Sequence, residues 1–254
     1  MSKNKDSIQN IFTVAFVLCL VCSVIVSGAA VALKDRQEAN QLHNQRTNIL
    51  LAGGLIDPRE TSRERVNELF NEIHVRVVDL RTGEFTDDIS AAEYEQLRAA
   101  NDPAMSDRLE QDPAGIRRLE RYGLVYLVGD IENPDRIILP VRGAGLWSTL
   151  HGFLALEGDA NTIAGLGFHD HAETPGLGGE VDNPRWIGQW PGKKVYEEGT
   201  HQPRLGLASN PDPNHEVDTL AGATLTARGV TNLLRFWTGD QGYGAFLAKF
   251  RQGV

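Results

Sequence analysis

The chain has 254 residues with 25 Lys plus Arg against 34 Asp plus Glu, a formal charge of −9, and hydrophobic and charged shares of 41% and 23%. Those shares are ordinary globular usage, so disorder, collagen and a disulfide scaffold are excluded, and the acidic balance argues against a nucleic-acid partner, which needs cations to neutralise phosphates. The two cysteines, Cys19 and Cys22, both fall near the N-terminus, leaving the body without any thiol for a disulfide or a cysteine-ligated metal centre.

Residues 11–33 read IFTVAFVLCLVCSVIVSGAAVAL, without a charged side chain. As a helix this run reaches roughly 34 Å, enough to cross a hydrocarbon core of about 30 Å. Ser27, Gly28, Ala29 and Ala30 resemble a cleavage site, but the apolar run continues through Val31 and Leu33, which predicts a retained anchor. The Cys19-x-x-Cys22 spacing falls mid-span, where thiols pack as small hydrophobes, so no redox site is expected there. Lys3 and Lys5 precede the span while Lys34, Arg36 and Arg46 follow it, and the positive-inside count decides nothing.

Residues 34–51 predict a polar helix leaving the membrane and ended by Gly53 and Gly54. A second helix is expected over 61–73, with Ser62 as N-cap and Val66, Leu69, Phe70 and Ile73 at helical spacing. Residues 74–85 then turn β-rich around Thr82-Gly83, a hairpin signal. The stretch 90–121 is charged and broken at Pro103 and Pro113, which predicts solvated helix faces. From Leu124 onward YLVGD and RIILPVRG predict strands, joined by segments at 162–168 and 195–196. The fold class expected is α+β, one N-terminal transmembrane helix followed by a helix-flanked β-sheet domain without regular βαβ alternation. Gly and Pro gather between 143 and 213, marking loops where a ligand can approach backbone closely.

Three constellations carry chemistry. The first runs from Asp218 through Ala221, Gly222, Ala223 and Thr224 to Thr226, a loop entering a helix whose small residues and hydroxyls suit a phosphate, or else an ordinary threonine cap. In the second, His169, His171 and Glu173 alternate as ligands on one strand face would, and such a trio could hold zinc. The loop that follows, Thr174-Pro175-Gly176-Leu177-Gly178, is exposed backbone better suited to a flat ligand. In the third, Gly143-Ala-Gly145-Leu146-Trp147-Ser148 fails the dinucleotide fingerprint, since serine replaces the third glycine and no βαβ unit surrounds it.

Asp218-x-x-Ala221-Gly222-Ala223-Thr224 resembles the flavinylation motif of covalent FMN-binding domains, with alanine where the family has Ser or Thr at 221. The resemblance implies one FMN on Thr224 through a phosphoester. His171-x-Glu173-Thr174-Pro175-Gly176-Leu177-Gly178 is similar to the loop that lies against the flavin in that family. Gly145-Leu146-Trp147, Asn183-Pro184-x-Trp186, Gly192-Lys193-Lys194 and the Gly242-Tyr-Gly244 tail extend the resemblance to the C-subunit family of sodium-translocating NADH:quinone oxidoreductases. The related G-subunit family of Rnf complexes shares both flavin motifs but lacks the 90–121 insertion, and a non-redox membrane-anchored module using His169, His171 and Glu173 is the other alternative.

The resemblance implies an electron-relay subunit of a translocase that oxidises NADH, reduces ubiquinone and exports sodium. The other subunits and a flavin transferase are its partners, no metal is expected, and NADH binds elsewhere. Residues 1–10 are expected to be a cytoplasmic tail, 11–33 the single span of a bacterial inner membrane, and 34–254 a periplasmic body with its FMN region at about 124–254. The implied cofactor set is Thr224, Asp218, Gly222, Ala223, Thr226, His171, Glu173, Thr174, Leu177, Gly178, Gly145, Leu146 and Trp147.

Overall fold

The computed structural model describes residues 8–251, and the chain divides into two units, Met1–Gln45 and Arg46–Val254. Most of the expected cytoplasmic tail, with Lys3 and Lys5, lies outside the described residues. The expected span and the expected polar helix are one uninterrupted helix, α1 (Ile8–Ala52), of 45 residues, about 68 Å at 1.5 Å per residue. Among the described residues it is the one helix long and apolar enough to cross a membrane. Its apolar side chains, Phe12, Phe16 and Val31 among them, are exposed, and Cys19 and Cys22 are unpaired. Its hydroxyls turn back onto the helix, Thr13 donating to Gln9 O at 2.8 Å and Ser23 to Cys19 O at 2.7 Å, which spares them a bare place in lipid.

The second unit begins in the last turns of α1, where Ile49, Leu50 and Ala52 are buried. Gly54 takes φ +63°, Leu55 N–H donates to Leu50 O and Gly54 N–H to Leu51 O, a Schellman stop that only glycine enters without strain. α2 (Arg63–Phe70) starts at Ser62, whose hydroxyl accepts from Arg65 N–H at 3.4 Å. It is shorter than expected: Ile73 opens strand β1 (Ile73–Asp79) instead, because it is buried and pairs with Val128 across the sheet.

The core is a six-stranded antiparallel sheet in the order β2-β1-β5-β6-β7-β8. It contains β1, β2 (Glu84–Thr86), β5 (Tyr122–Gly129), β6 (Pro134–Ala144), β7 (Thr149–Glu157) and β8 (Ile163–Asp170). The Thr82-Gly83 turn joins β1 to β2 as expected. β7 went unread in the sequence because it is an inner strand covered on both faces, and its nearly unbroken apolar run has no period-2 signal. Residues 195–196, expected as a strand, make only an isolated bridge between Tyr196 and Pro203; Tyr196 N–H goes to the Asn161 side chain, and proline has no N–H with which to extend a ladder.

Alternation along the strands sorts the core into two layers. Val125, Leu127, Ile137, Leu139, Leu154 and Leu156 face α5 (Thr224–Thr238) and α6 (Gly244–Arg251), which contribute Val230, Leu233, Leu234, Trp237 and Phe246. Leu124, Tyr126, Ile138, Phe153 and Ala155 face the other way, onto Ile49, Leu50 and Val66. The α+β class stands.

The stretch 90–121 departs most from expectation. It holds one short helix, α3 (Gln96–Asn101), and a two-stranded ribbon, β3 (Ser106–Arg108) with β4 (Arg118–Glu120). Its polar groups are not all solvated: Gln96, Ser106 and Glu120 are buried. Glu120 accepts from both terminal nitrogens of Arg142, at 2.7 and 2.6 Å, and from Gln96 Nε2 at 2.7 Å. A charged sequence thus enters the core because its charges find partners there. A 3₁₀ turn (Gly178–Asp182), α4 (Pro184–Ile187) and the parallel pair β9 (Gly206–Ala208) and β10 (Glu216–Asp218) complete the unit.

Candidate functional site

Three connections converge at one end of the sheet. β6 passes to β7 through residues 145–148, a turn closed by Gly145 N–H to Ser148 O at 2.8 Å. β8 runs out at Asp170 into the 171–177 loop, and β10 leads through residues 219–223 into α5. The three motifs far apart in sequence therefore meet.

Glu173 holds them together. It is 5% exposed. Its Oε1 accepts from the N–H of Trp147 at 2.9 Å and of Ser148 at 3.3 Å, and its Oε2 accepts from the Thr226 hydroxyl at 2.6 Å. Burial pushes its carboxyl up, but the Thr226 hydroxyl and the backbone N–H groups of Trp147, Leu146 and Ser148 outweigh it and hold the group below the ordinary carboxylate range. Two of the motif glycines are the space this carboxylate occupies. A Cβ on Gly178 would lie 2.7 Å from both Glu173 Oε2 and Thr226 Oγ1, and one on Gly145 would run into Glu173 Oε1. Ala172 N–H adds a bond to Ser148 Oγ at 2.7 Å.

Above this floor stands Thr224, exposed, as the first residue of α5. Its cap residue is Ala223, which has no side-chain acceptor, and the first backbone bond within the helix is Ala227 N–H to Ala223 O. The N–H groups of the first turn are thus left without a partner in the helix. Gly222 takes φ +72°, and a Cβ there would press on Leu177 Cδ2 at 2.9 Å, so the 171–178 loop lies directly against the threonine motif. On the three segments that meet here, Leu146, Trp147, Leu177 and Leu225 are 45%, 70%, 43% and 47% exposed. Large exposed apolar side chains on converging loops mark a ligand surface rather than a solvated one.

The remaining expected residues divide. Thr174 is exposed and its carbonyl accepts from Leu177 and Gly179 N–H, which shapes the loop. Asp218 closes β10 with an exposed side chain, its carbonyl taking the Trp186 indole N–H at 2.8 Å. Two members of the expected cofactor set lie beneath the surface: Thr226 is fully buried with its hydroxyl donating to Glu173, and Glu173 is buried with its carboxylate accepting from the N–H groups of Trp147 and Ser148. His171 is held in place, its Nε2 2.7 Å from Asp182 Oδ2 and its Nδ1 accepting from Glu173 N–H at 3.2 Å. His169 does not join it: its ring packs on Phe153 with centroids 5.1 Å apart, in the layer facing α2. The strand ends at Asp170, so the alternation that suggested a metal trio is broken, and among the described residues no three His, Cys, Asp or Glu side chains group to hold an ion.

Sequence reasoning missed Ser148, Asp182 and Gly229. Gly229 lies inside α5, and a Cβ there would strike the Ala144 carbonyl; a glycine within an amphipathic helix was the available signal.

Residues 145–239 match the FMN-binding domain family, which coincides with the three convergent connections. The C subunit of the Na(+)-translocating NADH-quinone reductase of Pseudomonas aeruginosa is 50% identical over 98% of both chains. That of Vibrio parahaemolyticus is 44% identical over 100% of this chain and 99% of its own. The crystal structure of Shewanella oneidensis NqrC superposes with a TM-score of 0.75 at 28% identity, covering 84% of this chain and 99% of the other. The C subunit of the Na(+)-translocating NADH-quinone reductase from Parabacteroides distasonis gives 0.66 at 25% identity, over 85% and 96%. With its three motifs gathered into one site and relatives matching end to end, the chain belongs to the C-subunit family of Na(+)-translocating NADH-quinone reductases and carries that family's FMN-binding domain.

Proposed function

We propose that this chain is the electron-relay subunit of a sodium-exporting NADH:ubiquinone reductase, a translocase, and that it holds one FMN as a phosphoester on Thr224. The observation that carries the reading is exposed Thr224 at a helix N-terminus without a side-chain cap, on the segment that meets the loops bearing exposed Leu146, Trp147 and Leu177. FMN supplies one-electron transfer when bound. The chain supplies the rest. The N–H groups of the first turn of α5, aided by the helix dipole, suit phosphate oxygens, and the exposed apolar side chains suit the flat ring and keep water from one side of it. Gly222 and Ala223 leave the approach to the hydroxyl clear. Ala221, exposed one residue before Gly222, lies off the acceptor itself, so its missing hydroxyl leaves the attachment atom intact.

Residues 11–33 serve as a single inner-membrane span in this reading, with the N-terminus cytoplasmic and the body from about Lys34 periplasmic. That orientation follows from the family resemblance, and a short tail ahead of an uncleaved apolar segment that serves as a signal anchor is compatible with it. A covalent bond then has a purpose, since a domain outside the cytoplasm cannot recapture a lost FMN, and a flavin transferase is the maturation partner. The NADH site belongs to another member of the complex.

The test is in-gel fluorescence under ultraviolet light of full-length chain made with the transferase. The wild type and Thr226→Ser should fluoresce, and Thr224→Val should be dark while accumulating to the same level. A fluorescent Thr224→Val band overturns the assignment. For orientation, alkaline phosphatase fused after Val254 should be active and green fluorescent protein dark; the reverse places the body in the cytoplasm.

A further inference from the structure

We infer that Glu173 is a positioning residue that sets the redox potential of the bound flavin from beneath, by clamping the three segments of the site around a carboxylate whose negative charge no cation compensates. The inference rests on the reading that the flavin is attached at Thr224.

The clamp is direct. The carboxylate takes N–H groups from the 145–148 turn on one oxygen and the Thr226 hydroxyl on the other, and its own backbone N–H bonds to His171. The turn, the 171–178 loop and the first turn of α5 thus share a single side chain. Thr226 is two residues from Thr224 on the same helical turn, so a shift of the carboxylate moves the end of the helix that carries the attachment atom. Gly145 and Gly178 give the carboxylate its room, since a Cβ at either would displace it.

The charge is uncompensated. Among the described residues Glu173 forms no ion pair, and every donor to its carboxylate is a neutral N–H or O–H. The side chains of Leu146 and Trp147 beside its donors are uncharged, and the His171 ring, which accepts from the Glu173 backbone N–H, is turned to Asp182 Oδ2 at 2.7 Å rather than to the carboxylate. A fixed negative charge on the low-dielectric floor of a site repels an added electron. The flavin gains one electron from the NADH-oxidising side of the complex and loses it toward the quinone; Glu173 gains and loses nothing. Its charge makes the reduced state less favourable and holds the midpoint potential down. Glu173→Gln removes the charge while keeping most of the bonding pattern: its side-chain oxygen still accepts from Trp147 and Ser148 N–H, and its amide donates to the Thr226 hydroxyl, which has lone pairs to accept.

The experiment is a spectroelectrochemical titration of the full-length chain in detergent, flavinylated by the transferase, as wild type, Glu173→Gln, Glu173→Asp and Thr226→Val. In-gel fluorescence reports attachment in each. Glu173→Gln should shift the midpoint potential to more positive values. Glu173→Asp, which keeps the charge, should return most of that shift. Thr226→Val keeps the charge but removes one donor, so its potential should match the wild type near pH 8 and depart upward at a higher pH than the wild type on acidification. Flavinylated Glu173→Gln with the wild-type potential overturns the inference and leaves the Thr224 reading standing. Should Glu173→Gln not accumulate, a Thr226→Val curve superposing on the wild type at every pH overturns it equally. A wild-type band without covalent flavin removes the Thr224 reading itself and this inference with it.

Discussion

Two glutamates are buried at opposite ends of the same problem. Glu120 is 1% exposed and Glu173 is 5% exposed. Glu120 is closed on itself: Arg142 meets it with two bonds, Gln96 adds a third, and the guanidinium lies over the Trp237 ring at 5.0 Å from its centroid. The Gln96 carbonyl accepts from Leu124 N–H, and Tyr243 hydroxyl donates to Leu124 O at 3.0 Å. Every charge there has a counter-charge within the core, so the cluster fixes the 90–121 segment to the sheet and projects little field outward. Glu173 is satisfied by neutral donors alone and sits just below an apolar surface. The contrast separates a carboxylate used for architecture from one whose charge reaches a ligand.

The largest expected effect breaks the first member of the comparison. Glu120→Ala leaves Arg142 buried and unpaired and should cost about 3–5 kcal/mol of unfolding free energy. The double variant Glu120→Leu with Arg142→Met should recover most of it, as measured by chemical denaturation. A single variant within about 1 kcal/mol of wild type would show that water already reaches the pair.

Gly229→Ala tests the seam between the two regions. Its Cβ would meet the Ala144 carbonyl and force α5 off the 145–148 turn; overpacking of this kind costs about 1–3 kcal/mol. Because the displaced helix end carries Thr224, covalent flavin per folded chain should fall as well. Normal flavin content with lowered stability would detach the helix packing from the site.

Acid sharpens the contrast. The folded-state carboxyl of Glu173 is held below its ordinary value of 4.5, so its contribution is fully present above that value and is lost as pH falls through the folded one. The stability curves of wild type and Glu173→Gln should therefore run apart near pH 7 and draw together only as pH falls below 4.5 and through the folded-state value. Parallel curves down to pH 3 would mean that the carboxyl does not titrate with folding.

The smallest effect belongs to the surface. Leu177 is 43% exposed, so Leu177→Ala should change stability by no more than about 0.5 kcal/mol. It should nevertheless move the flavin absorption maximum while the covalent bond survives. An unchanged spectrum would take the 171–178 loop out of contact with the ring.

Much of this protein is written in local pattern. The apolar run of 11–33, the Gly53-Gly54 stop, the Ser62 cap and the Thr82-Gly83 turn each depend on neighbours within a few residues, so helix α1, the start of α2 and the first hairpin were readable before any tertiary contact was known. The threonine motif and the Glu-Thr-Pro-Gly-Leu-Gly loop stood out as small residues, hydroxyls and glycines that leave backbone open, but local pattern also allowed a threonine cap and a metal trio, and the family resemblance chose between them. Tertiary structure decided the rest. β7 needed both its neighbours to be recognised as a strand, because burial on two faces erases the alternation that would mark it. Residues 90–121 read as solvated because the partner that draws Glu120 inward, Arg142, lies in another strand. Thr224 and Thr226 are alike in sequence, two hydroxyls in one helical turn, yet one opens to the surface and the other closes on Glu173. Only the rotation of about 100° per residue and the place of that carboxylate tell them apart.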